Sequence, residues 1–145
     1  MVNAHIDISQ GLDGEPVVLA CFDLAEEQLA ASAHAVTATS AERFRIADLS
    51  VDDVLELREL TALSDELADL ALRPGMCTVV LRPARLSVYR DAIAAFIESR
   101  DSAEWVREED REPLARVRSL LYALEDLSAD AVRAALSGSA SPRAF

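Results

Sequence analysis

Lysine is absent. All 14 basic residues are Arg, and Asn occurs once, at Asn3. Codon bias in a GC-rich bacterial genome is the simplest cause, and it takes weight off any single Arg. Arg still offers carboxylates and phosphates a planar, bidentate fork. Glycine occurs only 4 times, which leaves little material for the flexible phosphate or lid loops of many enzymes. The two cysteines, Cys21 and Cys77, are far apart and form no CxxC pair. They are no disulfide framework, which points to a reduced, cytoplasmic compartment. Each sits in an apolar run, where free Cys behaves as a small hydrophobe. The two histidines, His5 and His34, have no second ligand at metal spacing. With no calcium-loop pattern either, neither metal nor cofactor is expected. No nucleophile elbow, HExxH motif or P-loop is present, so no catalytic residue is named.

Long apolar runs are missing too. None approaches the ~20 residues that span a bilayer. Asp7, Asp13 and Glu15 interrupt the amino-terminal region, and no basic segment precedes an apolar one, so no signal peptide is read. Aromatics make up 5% of the residues against 51% apolar in all, which predicts a core of Leu, Val, Ile and Ala.

Acid is abundant. The net charge is −12 and the pI about 4.5. Nucleic-acid binding by counterion release needs clustered positive charge, and an anionic membrane surface repels this chain. A basic protein partner is favoured instead. The charge is uneven. Residues 1–75 carry 15 acids and four Arg, and the rest carry 11 acids and ten Arg. The focus is the stretch holding Asp52, Asp53, Glu56, Glu59, Asp65, Glu66 and Asp69.

At 145 residues the chain is read as one globular domain over 1–137, with a disordered tail at 138–145. Val2, Ala4, Ile6 and Ile8 alternate with polar residues, as in a half-buried strand. A Gly11–Gly14 turn leads to an apolar strand over Pro16–Phe22. Asp23 with Glu26 reads as the cap of a helix. The stretch 30–41 is ambiguous. Phe44 and Ile46, flanked by Arg43 and Arg45, suggest a third strand. Ser50 with Asp53 starts a long helix over Val51–Leu72, with an apolar stripe from Val54 to Leu70. Met76–Leu81 reads as a buried central strand, ended by Pro83, which opens the next helix. The third strand, long helix and central strand would form a right-handed βαβ unit. A polar connection over Asp101–Asp110 holds Trp105. Further helices start at Pro113 and at Ser128, the last with Val132 and Leu136 inward. The expected fold is therefore α+β (mixed α/β). It is a small sheet of about four strands packed by amphipathic helices, with a helical C-terminal half.

Two functional readings follow. The first is a non-enzymatic, regulatory protein–protein interaction module. The acidic helix, Asp52 to Asp69, docks a basic partner, and Trp105 serves as an exposed anchor, since Trp is enriched at binding hot spots. The second is a small-anion-binding domain. Arg82 and Arg85 flank Pro83 where a strand hands over to a helix, and helix amino termini attract phosphate and carboxylate. A homodimer is also expected, with the acidic half of one copy meeting the Arg-richer half of another.

Overall fold

A computed structural model describes residues 3–45 and 48–140, with side chains through 136. The chain begins with a hairpin of β1 (Asn3–Gln10) and β2 (Pro16–Leu24). Gly14 takes a positive φ of 83° in the connecting loop, which a residue with a Cβ rarely adopts. Two helices follow, α1 (Glu26–Arg43) and α2 (Val51–Ala71). Then come β3 (Cys77–Leu81), α3 (Pro83–Asp101) and a long last helix, α4 (Glu108–Ala140).

Among the described residues the sheet has three strands in the order β1-β2-β3, and both pairings are antiparallel. Ala4, Ile6, Val18, Ala20, Phe22, Leu24, Cys77, Val79 and Leu81 belong to the core or pack against it. Their alternates, including Asn3, His5, Asp7, Asp23, Thr78 and Val80, point to the opposite face. Helices α3 and α4 cover the core face, and α1 packs against all three other helices. Its Ala31, Ser32, Ala35 and Ser40 are buried, so small side chains let its neighbours approach closely. The core centres on Phe22, Tyr89 and Phe96, whose partners include Leu29, Leu60, Leu63, Leu67, Leu86, Ile93, Leu120 and Leu124. Each such side chain contributes roughly 1.5–3 kcal/mol on burial. Tyr89, fully buried, hydrogen bonds to the hydroxyl of Ser32 at 2.5 Å. Its phenol is pushed above its ordinary value by burial, against the opposing effect of that bond.

Several expectations are corrected. The strand expected at Phe44 does not form. Helix α1 runs on to Arg43, Phe44 caps its C-terminus, and Ile46 lies outside the described residues. Two apolar residues are too short a signal against an Ala-rich helix that runs up to Phe44. Among the described residues the expected βαβ unit is absent, since no strand precedes α2 at Phe44 and β3 pairs antiparallel with β2. Two helices separate these strands and return the chain to the end it left, where Cys77 pairs with Leu24. Strand β3 is therefore an edge, and β2 is central. Asp23 is not a cap. It lies within β2 and accepts from the Thr78 hydroxyl at 2.6 Å and from Asn3 at 3.3 Å. The cap is Ala25, whose N–H donates to Gln28 at 2.9 Å.

The C-terminal half is helical, but α4 opens at Glu108, not at Pro113, and runs unbroken past Ser128. Ser128 is buried inside it, whereas Val132 and Leu136 are exposed. Beyond Ala131 the helix has outlasted the core beneath it. Its backbone continues to Ala140, inside the stretch expected as a tail, and 141–145 lie outside the described residues. Val2 also lies outside them. Among the described residues no helix is long and apolar enough to cross a membrane.

Candidate functional site

Helix α2 starts on a capping box. Ser50 Oγ accepts from the Asp53 N–H at 3.1 Å, and the Asp53 carboxylate accepts from the Ser50 N–H at 2.9 Å. That backbone bond first, and then the hydroxyl, holds the Asp53 carboxyl below its ordinary value. Asp53 therefore serves the helix start. Leu57, Leu60, Leu63 and Leu67 turn inward. The remaining acids fall into two groups by helical spacing. Asp52, Glu56, Glu59 and Glu66 share one flank. There Arg43 pairs with Glu56 at 2.8 Å, and Arg85 pairs with Glu59 at 2.7 Å and with Glu66 at 3.5 Å. Asp65 and Asp69 lie on the outermost face, one turn apart. Among the described residues, Asp52, Asp65 and Asp69 make no ion pair, and all three are exposed.

The two arginines of the anion reading are thus brought to the acidic helix. Arg85 is engaged by Glu59 and Glu66. Arg82, the N-cap residue of α3, is exposed and makes no ion pair among the described residues. A groove of about 480 Å³ joins them, lined also by Val80, Leu81 and both glutamates. Two carboxylates in this groove repel an incoming anion.

Trp105 sits elsewhere, on the loop between α3 and α4, with 71% of its surface exposed. It rims a cleft of about 350 Å³ whose walls include His34, Glu42, Arg45, Arg100 and Asp110. The sequence offered no sign of the network inside. Asp110 is 5% exposed. One of its oxygens meets His34 Nε2 at 2.7 Å, and the other accepts from Arg100 Nε at 3.1 Å. Arg100 also donates to Glu42 at 2.6 Å and stacks 4.5 Å over the ring of Phe96. His34 meets the same ring edge-on. Burial alone would raise the Asp110 carboxyl. The His34 bond and the Arg100 charge outweigh burial and hold the carboxyl below its ordinary value. Burial likewise works against the Arg100 charge, and Glu42 and Asp110 more than offset it. These partners come from α1, α3 and α4 and lie far apart in sequence, so no local pattern announces them.

Among the described residues, Asp110 is the one hydrogen-bond partner of His34, and no nucleophilic side chain is bonded to it. The network ties α1, α3 and α4 together through one carboxylate. No group of three or more His, Cys, Asp or Glu among the described residues is placed to hold a metal ion.

The last turn of α1 links the cleft to α2. Ala41, Glu42 and, just past the helix, Arg45 line the cleft, and Arg43 lines a second groove with Asp53 and Glu56. Phe44, Val51, Val54, Leu55 and Trp105 are all exposed. Comparison with protein-family models, with curated proteins and with solved structures finds no match to this chain.

Proposed function

We propose that this protein is a non-enzymatic interaction module that docks a basic partner along α2, with Trp105 as an apolar anchor at one end. One observation carries the reading. Arg43 and Arg85 neutralise Glu56, Glu59 and Glu66, yet Asp52, Asp65 and Asp69 stay exposed and unpaired among the described residues. Exposed apolar side chains lie near Asp52 at the start of α2, at Val51, Val54 and Leu55. A partner that carries both Arg or Lys and apolar side chains matches this combination. Charge complementarity of this kind speeds encounter and selects the partner. The location is cytoplasmic, without direct contact to nucleic acid or membrane. The small-anion reading at Arg82 and Arg85 is weaker, because Glu59 and Glu66 already occupy Arg85.

The test is capture from the native host on immobilised protein, in low and in high salt. It is run beside a variant carrying Asp52→Asn, Asp65→Asn and Asp69→Asn. A basic protein held by the native chain at low salt, released at high salt and lost with the variant supports docking along α2. Retention that ignores both salt and the variant overturns it, and so does a preparation that captures nothing.

A further inference from the structure

The order β1-β2-β3 leaves two sheet edges without a strand partner among the described residues. The edges are not equivalent. Strand β3 is five residues long, with Pro74 before it and Pro83 after it. Shortness and proline are the usual protections of an edge. Strand β1 has neither. It runs eight residues without Pro, Lys or Arg. It pairs with β2 in unbroken register from Asn3 to Gln10, so no bulge turns its edge away. On its core-side face Ile8 is 51% exposed.

We propose that β1 is a self-association edge. It pairs antiparallel with β1 of a second copy across a two-fold axis and joins two three-stranded sheets into one. The register argues for this occupant. A slip of one residue turns every side chain to the other face. Pairing β1 with itself must therefore set Ala4, Ile6 and Ile8 against one another. Two registers do so with long overlap. One spans Ala4–Gln10 about Asp7 and sets Asp7 against Asp7 of the second copy, a repulsive like-charge pair. The other spans Asn3–Ser9 about Ile6. It sets Ile6 against Ile6, Ala4 against Ile8, and His5 against Asp7 on both sides of the axis. The imidazole can donate to the carboxylate, so charge selects this register. The exposed Ile8 is then covered, and the two cores become continuous beneath one sheet. Main-chain bonds supply the association, as in other strand additions. This pairing is independent of any docking along α2, and it differs from a contact between the acidic and Arg-richer halves.

Light scattering across a wide range of concentration, coupled to size exclusion, tests it. The native chain is expected to dimerise as concentration rises. His5→Asp places carboxylates opposite each other at both symmetric positions. It lies on the outward face, so circular dichroism should keep the native spectrum while dimer affinity falls about tenfold or more. The swap His5→Asp with Asp7→His restores the opposed pairs and should restore the dimer. A monomer at every concentration overturns the proposal. So does a dimer that His5→Asp leaves intact, or a swap that fails to restore association.

Discussion

Asp110 lies 2.7 Å from His34, and through this contact the first turn of α4 is fixed to the middle of α1. The other oxygen of Asp110 holds Arg100 from the end of α3. Three helices thus meet on one buried carboxylate. Asp110→Ala removes the shared acceptor and leaves Arg100 with Glu42 as its one carboxylate partner among the described residues. The expected cost is about 3 kcal/mol, at the lower end for breaking a buried pair, because Glu42 still neutralises Arg100. Asp110→Asn keeps the shape and one acceptor, and should cost less. Urea midpoints of the three proteins check this order.

The same carboxylate fixes a pH dependence. Its folded value is depressed, so the unfolded chain takes up the proton first as pH falls. Its stabilisation is fully present above the ordinary Asp range near 3.9. It is lost as pH falls below that range and through the folded value. Native protein should therefore lose stability in that acid window. Asp110→Asn should show a shallower decline there. Equal slopes for the two proteins would show that other carboxylates control the acid limb.

Much of the fold was legible because its signals are local. The alternation of Ala4 and Ile6, the stripe expected from Val54 to Leu70, of which Leu57 to Leu67 turn inward and Val54 is exposed, and the pair Ser50–Asp53 each sit within one element. What failed was long-range or competitive. Asp23 looks like a helix cap, but Thr78 and Asn3 engage it across strands. Strand β3 reads as central because its run is apolar, yet nothing local reveals that two intervening helices return it antiparallel. The acids of α2 were visible, but their division into paired and unpaired groups depends on where Arg43 and Arg85 land. The Asp110 network spans three helices and had no local signal.

Tyr89 and Ser32 give a second buried test. Tyr89→Phe keeps the ring in the core and leaves the Ser32 hydroxyl without that donor, at a cost of about 1–2 kcal/mol. Tyr89→Ala also opens a cavity and should cost about 3–5 kcal/mol. The phenol bears on the alkaline side as well. Its folded value is raised, so its stabilising effect is complete below the ordinary value near 10 and is lost as pH rises past it. Thermal melts of native protein and Tyr89→Phe, compared at neutral and strongly alkaline pH, should converge at high pH.

Arg85 separates the two functional readings. Its guanidinium is partly exposed and holds Glu59 and Glu66 on α2. Arg85→Ala should cost under about 1 kcal/mol, as exposed ion pairs contribute little. It also frees both glutamates and makes the flank of α2 more negative. If α2 docks a basic partner, the complex with Arg85→Ala should survive to higher salt than the native complex. If Arg85 instead holds a small anion, a thermal shift induced by inorganic phosphate should appear in the native chain and vanish in the variant. Salt titrations of the captured complex and phosphate-dependent melts, run on the same two proteins, give opposite patterns for the two readings.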